Sequence, residues 1–245
     1  MTDAHCHVTG GDASVREFLI GRDFIGIHPW DTMGLSLEDM RRKTEDLALR
    51  LTSSVSSPQP RLGVGEIGLD RLKEREISPR MREVFEVQLK LALEFHRPVV
   101  LHGAKCWGQV VETVERLRRE VDSGIQPVLS QPVFSQPQPP TSTFLFHGFS
   151  RSDGLIPDIV ALNGYISVGP AILNEHAVNY RELVRKIPLD RLLVETDRTP
   201  ENVVTCPSVA EVAAKVAELR GLSFAELEAI TDRNADAFIC YNTPK

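Results

Sequence analysis

Short apolar segments alternate along the chain with longer stretches in which apolar residues recur at helical spacing. Strands that pack on both faces read as short apolar runs, and strands that alternate with amphipathic helices form parallel sheets. The predicted strands are Asp3–His7, Asp23–His28, Leu62–Ile67, Pro98–His102, Thr143–His147, Gly164–Val168 and Arg191–Glu195. This pattern predicts an α/β fold, a TIM-like (β/α)8 barrel in which seven strands are clear.

Capping residues mark where several of the intervening helices begin and end. Ser78 stands before a proline, which is typical of a helix start because serine caps the first turn and proline suits its first position. The apolar residues on one face of this helix are Met81, Val84, Phe85, Leu89 and Ala92. Ser208 and Gly221 are predicted to bound a second helix. Ser223 and Glu226 have the spacing of a capping box for a third.

Two segments, residues 52–60 and 123–142, are rich in Ser, Pro and Gln and show neither helical nor strand periodicity. We predict that both are exposed insertions in a single domain spanning residues 1–245. The second insertion contains several prolines, so it could bind a protein partner as a polyproline-type ligand. A solvated loop is the simpler interpretation of the same composition.

Charge limits the classes of protein that the chain can represent. Its 245 residues suffice for one barrel domain, and the formal net charge is −6. Proteins that coat nucleic acid over a wide surface need a basic surplus, because phosphate contacts dominate their affinity. The acidic balance therefore counts against such a surface, but not against a small pocket that takes one phosphate or one strand end.

Three absences in the sequence predict where the protein works. No apolar run approaches 18 residues, so no membrane span is expected. The first residues lack the basic and then apolar regions of a secretory signal. The four cysteines are far apart and form no CxxC pair, which is typical of a reducing compartment: Cys6, Cys106, Cys206 and Cys240. We predict a location in the cytoplasm or nucleus.

Potential metal ligands stand at the end of every predicted strand except the sixth: His5 with His7, then His28, Glu66, His102, His147 and Asp197. The carboxyl ends of barrel strands converge on one face, where catalytic residues collect. Each residue alone has an ordinary explanation, such as a core histidine or a buried salt bridge between Glu66 and Arg71. Together they favour a metal site, because an acid at the end of a buried strand is costly unless it is paired or coordinates a metal.

Six segments resemble, in order along almost the whole chain, the TatD family of metal-dependent hydrolases among the amidohydrolase-like barrels. The segments are DAHCHV, GIHPW, GEIGLD, QLKLALEFHRPVVLH, FHGFS and IPLDRLLVETD. The family reads D-x-H-x-H, G-x-H-P, G-E-I-G-L-D, a helix and strand ending in a metal-binding His, H-x-F-S, and I-P-x-x-R-L-L-x-E-T-D. The insertions resemble those of fungal members.

The resemblance implies a site with two divalent metal ions, which could be Zn, Mn or Mg. It implies that His5, His7 and Asp197 hold one ion. His102 and His147 would hold the second, and Glu66 would bridge both. Asp197 and Glu66 are the implied catalytic residues, with Asp197 accepting the proton of a metal-activated water.

The resemblance implies a further set of residues near the substrate, and here the chain departs from the family. His28 matches a position close to the substrate. Ala104 occupies the position where the family has an Arg, and the basic segment that usually follows Asp197 is missing. Lys105 and Arg198 are the candidate substrate-binding replacements.

Three functions follow as expectations. The leading one is a phosphodiesterase of the deoxyribonuclease type that acts on ends of DNA or on another phosphodiester. The second keeps the metal site but cleaves amides, esters or lactones, because the Arg expected for a phosphate is absent. The third is a partner-binding protein on a hydrolase scaffold, which uses the Pro-rich segment 123–142.

Overall fold

The computed structural model describes residues 1–55, 62–73, 75–124 and 142–239. In chain order, the strands are β1 (Thr2–Cys6), β2 (Arg16–Leu19), β3 (Phe24–Ile25), β4 (Gly63–Asp70), β5 (Val99–Ala104), β6 (Phe144–Phe146), β7 (Gly164–Val168) and β8 (Leu192–Val194). The α-helices are α1 (Leu37–Val55), α2 (Pro79–Glu94), α3 (Trp107–Asp122), α4 (Ile156–Ala161), α5 (Val178–Lys186), α6 (Val209–Arg220) and α7 (Phe224–Ile239). Short 3₁₀ helices, among them Pro29–Met33, connect several strands to the following helix.

All neighbouring strands are parallel, in the sheet order β3-β4-β5-β6-β7-β8 and in the pair β1-β2. The pair and the larger sheet meet at both edges. Ile20 forms a parallel bridge with Phe24, and the amide of Asp197, just after β8, donates to the carbonyl of His5 in β1. This arrangement confirms the predicted α/β fold with the strand order of a TIM-like barrel.

A second buried cluster, separate from the main core, takes apolar residues from most of the strands: Ala4, Phe18, Phe24, Val100, Leu145, Tyr165 and Leu193, with Ala235 and Phe238 of α7. Residues two apart in a strand point the same way. Val100 and Leu145 therefore lie one layer beneath His102 and His147, and Leu193 lies beneath Glu195. Side chains two positions apart in a strand thus form two layers, with the polar residues of the cluster above an apolar layer inside the barrel.

The structure has one strand more than the sequence predicted, β2, in which only Phe18 is buried. Helix boundaries follow the capping prediction. The Ser78 hydroxyl accepts from the Met81 amide, and Ser208 caps α6, which ends at Gly221 with a φ of 65°. The hydroxyl of Ser223 accepts a hydrogen bond at the start of α7.

The boundaries predicted for the two insertions are partly wrong. Residues 52–55 are the last turn of α1, where the hydroxyls of Thr52 and Ser53 donate to carbonyls of the preceding turn. At the end of the second segment, Ser142 is buried and its hydroxyl donates to the Ala92 carbonyl. Residues 56–61 and 125–141 lie outside the described part of the chain. No helix within the described ranges is long and apolar enough to cross a membrane.

Candidate metal centre

The polar side chains predicted to bind metal lie together at the carboxyl ends of the strands. His5 is in β1, Glu66 in β4 and His102 in β5, while His147 directly follows β6 and Asp197 follows β8. His5, Glu66 and His147 are buried. The barrel thus brings together residues separated by almost two hundred positions, as the convergence of parallel strand ends predicts.

Four of these side chains form one donor group. The Nε2 atom of His5 lies 3.4 Å from Glu66 Oε2 and 3.4 Å from Asp197 Oδ1. The Nε2 atom of His7 lies 3.4 Å from the same Glu66 oxygen and 3.6 Å from the same Asp197 oxygen. His5, His7 and Asp197 each offer one ligand atom within 4.8 Å of the other two, and Glu66 Oε2 lies beside both imidazoles, so these donors could hold one cation.

The other oxygen of Glu66 belongs to a second donor group. Its Oε1 lies 2.6 Å from His102 Nδ1 and 2.6 Å from His147 Nε2, and the two ring nitrogens are 3.2 Å apart. Glu66 therefore lies between the two sets of residues, with Oε2 facing His5 and His7 and Oε1 at hydrogen-bond distance from His102 and His147.

Buried nitrogens without hydrogen bonds also fit a metal site. Within the described residues, both ring nitrogens of His5 and Nδ1 of His147 are buried and have no hydrogen-bond partner. Leaving such atoms unsatisfied is costly, and most buried polar atoms in proteins are paired. A cation held between His5 Nε2 and the carboxylates facing it would remove part of this cost.

The acids and imidazoles of the cluster lie so close together that they shift one another's pKa values. Burial disfavours charge on Glu66, but the neighbouring His147 and His102 outweigh it and hold the pKa of Glu66 well below its ordinary value. Burial and His147 oppose a proton on His5, yet the carboxylates of Asp197 and Glu66 raise the pKa of His5 to about 9. The pKa of His147 is also raised, against burial, by Glu66. The carboxylates thus favour positive charge here.

His28 faces the cluster in a different way. It caps the 3₁₀ helix Pro29–Met33, and its Nδ1 accepts a hydrogen bond of 3.1 Å from the Trp30 amide. In the neutral ring the proton is then on Nε2, which lies 3.4 Å from Glu66 Oε1. In this tautomer His28 can donate a hydrogen bond at the edge of the cluster, and one of its ring nitrogens also lies in a group with Glu66 and His102 that could hold an ion.

Two buried acids that the sequence analysis did not assign lie beside the histidines, and one of them is hydrogen-bonded to its imidazole. Asp70 ends β4 and is buried; its Oδ2 accepts from His102 Nε2 at 2.8 Å and from Trp30 Nε1 at 2.8 Å. Burial opposes its charge, but the hydrogen bond from His102 lowers the pKa of Asp70. A carboxylate that orients a metal-binding histidine is a common supporting element of metal sites.

Glu195 is the second of these acids. It directly follows β8 and is buried; its Oε1 accepts from the Gly148 amide at 2.7 Å and lies 3.8 Å from His147 Nδ1. Its other oxygen accepts from the Ser167 hydroxyl. The sequence signal was available for both acids, because Asp70 ends the buried strand β4 and Glu195 directly follows the buried strand β8.

Asp3 positions the segment that carries Asp197. Its carboxylate accepts from the amide and the hydroxyl of Thr196, at 2.9 and 2.6 Å. Burial raises the pKa of Asp3 to about 6, against these hydrogen bonds. Asp197 follows in a left-handed conformation, with a φ of 49°.

Gly68 lets β4 and β5 approach at the site. Its φ is 151°, and a Cβ at this position would overlap the carbonyl oxygen of His102. The peptide of Gly68 is paired with His102 in the sheet register. A side chain here would push β5 away from β4, so the second glycine of GEIGLD is required by packing.

The side chains of the two other predicted substrate contacts, Lys105 and Arg198, form no hydrogen bond or ion pair with the described residues of the cluster. Lys105 is exposed in the turn after β5 and forms no hydrogen bond or ion pair with any described residue. Arg198 is buried, and its guanidinium lies 3.5 Å from Glu17 Oε1 and against Gly10. Its backbone carbonyl instead accepts from the His7 amide at 2.8 Å. The prediction that Arg198 binds substrate is not supported by this position.

Residues 22–239 match the model of the family described as TatD related DNase. The chain belongs to this family. The TatD resemblance drawn from the sequence is thereby confirmed, while the likeness of the insertions to fungal members stays a prediction. A Bacillus subtilis TatD relative, named "Uncharacterized metal-dependent hydrolase YabD", is 29% identical over 218 residues, which are 86% of this chain and 74% of the relative.

A second relative, the "3'-5' ssDNA/RNA exonuclease TatD" of Cronobacter sakazakii, is 24% identical over 84% of this chain and 75% of its own length. The fold is similar to the crystal structure of YJJV, a TatD homologue from Escherichia coli, with a TM-score of 0.65 and 23% identity. The likeness covers 96% of this chain and 79% of that one. Family and fold together make this chain a TatD-family metal-dependent hydrolase with an α/β barrel.

Proposed function

We propose that the protein is a phosphodiesterase that removes nucleotides from the ends of single-stranded nucleic acid, using two divalent cations. The observation that carries this proposal is the placement of Glu66, which directs one oxygen to each of two neighbouring donor groups. Two divalent cations held by these residues would lower the pKa of a water, orient it and balance charge on a phosphate. The imidazole-rich donors favour zinc or manganese over magnesium.

The chain supplies a base and a donor beside these ions. Asp197 is half-exposed, so water and substrate can reach it. Burial opposes its charge, but His5 lowers the pKa of Asp197, which is ionised at neutral pH and can accept a proton. His28 can donate from Nε2 to an oxygen of the substrate, since its Nδ1 accepts from the backbone.

A large cavity beside the cluster supports a polymeric substrate. Its volume is about 1300 Å³, and Glu195 and Asp197 line it together with Arg151 and His176. Pockets for small molecules measure roughly 300–1000 Å³. Arg151 is exposed and forms no hydrogen bond or ion pair with the described residues, so it can pair with a phosphate.

Arg151 could also replace the Arg that the family has at position 104, the last residue of β5, where this chain has Ala104. Ala104 cannot pair with a phosphate, and the guanidinium of Arg151, in the cavity that Asp197 also lines, offers the same bidentate recognition. The name of the Cronobacter relative, an exonuclease for single-stranded DNA and RNA, supports nucleic acid as the substrate class.

A nuclease assay with defined ions tests the proposal. The protein is stripped with a chelator, reloaded with Mg²⁺, Mn²⁺ or Zn²⁺, and mixed with single-stranded oligonucleotides labelled at either end. We expect stepwise release of mononucleotides with at least one ion, and no release by the Glu66→Gln variant prepared identically. If the reloaded protein binds the ion but releases no nucleotide under any condition, the proposal is wrong.

A second candidate is hydrolysis of amides, esters or lactones at the same site. The observation that favours it is Ala104, which leaves β5 without the guanidinium that the family places there. A panel of these substrates beside phosphodiesters separates the two candidates, and turnover confined to phosphodiesters removes the second. Partner binding through segment 123–142 stays a prediction, because residues 125–141 lie outside the described part of the chain.

A further inference from the structure

Trp30 is an exposed aromatic residue held rigidly beside the metal cluster. Its side chain is 41% exposed, and it lies in the short 3₁₀ helix that His28 caps. The indole Nε1 donates to Asp70 Oδ2 at 2.8 Å, and the same oxygen accepts from His102. The orientation of the indole ring is thus fixed by the acid that orients a candidate metal ligand.

The indole ring of Trp30 lies close to two imidazoles of the metal cluster. The ring centroid lies 4.9 Å from that of His28 and 6.2 Å from that of His102, with both imidazoles nearly perpendicular to the indole. The ammonium group of Lys73, an exposed residue, lies over the ring at 3.7 Å from its centroid. A flat aromatic surface and an exposed cation therefore lie together at the edge of the cluster.

Packing alone does not account for this arrangement. A tryptophan that contributes to a core is mostly buried, as Trp107 is at 5%. A nucleotide presents the two groups that would use both features of the Trp30 surface, because its base stacks on an aromatic ring and its phosphate pairs with an ammonium. An aliphatic amide, ester or lactone would use neither.

We propose that Trp30 is the stacking surface for the nucleobase next to the cleaved phosphodiester, and that Lys73 moves from the ring to the neighbouring phosphate when the base binds. This inference rests on the proposed function and deepens it. It assigns the cleaved substrate to nucleotides, whereas the metal cluster by itself would accept any phosphodiester of suitable shape.

Intrinsic fluorescence tests the proposal without catalysis. The chain has two tryptophans, and Trp107 is buried against Phe146 and Phe149, so it supplies a constant background. The protein is titrated with a single-stranded oligonucleotide in the presence of a chelator, and then with an abasic oligonucleotide of the same length and charge. We expect quenching by the first and little by the second. Equal quenching by both would overturn the stacking.

Binding of a labelled oligonucleotide, followed by anisotropy, compares two variants that lose the same hydrogen bond to Asp70. Trp30→Ala removes the ring, and we expect the Kd to weaken by roughly 5- to 150-fold. Trp30→Phe keeps an aromatic face, and most of the affinity should remain. Met33→Ala, an exposed apolar residue of the same 3₁₀ helix, is the control and should leave the Kd unchanged. Equal weakening in both Trp30 variants would mean that the hydrogen bond matters and not the ring.

The outcomes also separate this inference from the proposed function. If no ion supports cleavage but Trp30 still binds bases in the chelated protein, the proposed nuclease activity fails and base stacking stands. If the wild type cleaves oligonucleotides and Trp30→Ala binds and cleaves them equally well, base stacking fails and the nuclease activity stands.

Discussion

Asp3 holds Thr196 through both of its carboxylate oxygens, although 193 positions separate the two residues. The contact is buried. Asp3 is two residues before His5, and Thr196 stands between Glu195 and Asp197. One pair of hydrogen bonds therefore sets the first strand of the barrel and the segment after its last strand in register at the metal cluster.

Asp3→Asn should weaken this register. An asparagine can accept only with its carbonyl oxygen, so one of the two donors of Thr196 would face an NH2 group. We expect a loss of roughly 1–3 kcal/mol in the free energy of unfolding, measured in urea. Metal affinity should fall by about 10- to 100-fold, because Asp197 is less well placed. Thr196→Ser keeps both donors and should behave almost as wild type, whereas an unchanged Asp3→Asn variant would contradict the positioning role.

Glu66→Ala should lose both ions together. Each donor group contains one oxygen of Glu66, so removing the carboxylate takes a ligand and a negative charge from both. The measurement is elemental analysis of the protein after reloading and dialysis. Retention of one full equivalent of ion in Glu66→Ala would show that the two groups do not share this residue.

His28→Ala should keep the ions and lose turnover. Its Nε2 faces the cluster, while Nδ1 is engaged by the Trp30 amide. The loss of a positioned donor should lower kcat by about 10²-fold or more at unchanged metal content. If the variant loses an ion, His28 is a ligand and its role as a donor is wrong.

Glu195→Gln should weaken metal binding mainly on the side of His147. The carboxylate is 3.8 Å from His147 Nδ1 and forms no hydrogen bond with His7 or Asp197 among the described residues. We expect calorimetric titration to show one of two sites weakened by about 10- to 100-fold. Glu182→Gln changes an exposed acid that lines the cavity and should leave both sites unaltered. Equal weakening of both sites by Glu195→Gln would point to a general effect of charge.

Arg151→Gln should weaken binding of oligonucleotides without affecting metal content. If Arg151 pairs with one phosphate, the slope of log K against log salt should fall by about 0.7 for a single strand. Arg185→Gln, on the exposed side of α5, is the matched control and should keep the wild-type slope. An unchanged slope in Arg151→Gln would exclude the phosphate contact.

The sequence predicted the barrel and the residues of its cluster because both depend on one rule, the convergence of parallel strand ends. It did not predict β2, since that strand has a single buried side chain, Phe18. Arg198 shows that being next to a metal-binding residue in the sequence does not predict where a side chain points. Arg198 follows Asp197 directly, but the backbone is left-handed at Asp197. The guanidinium of Arg198 instead lies beside Glu17, which is 181 positions earlier in the sequence.

The sequence analysis assigned no role to Asp70 and Glu195 for a related reason. Buried acids at strand ends are visible in the sequence, but whether such an acid meets an ion or a histidine is decided by distances between strands. The predicted location in the cytoplasm or nucleus and the single-domain organisation stay predictions.

Because β4 and β5 approach closely at Gly68, some positions of this protein tolerate substitution and others do not. A larger residue in the GEIGLD strand would shift Glu66 and His102 at once, so neither side chain can be retuned without the other. Trp30 and Arg151 lie on the rim of the site, in exposed segments outside the strands, where a substitution leaves the strand spacing intact. New substrate preferences can therefore be selected, or engineered, at the rim while the reaction chemistry is inherited unchanged.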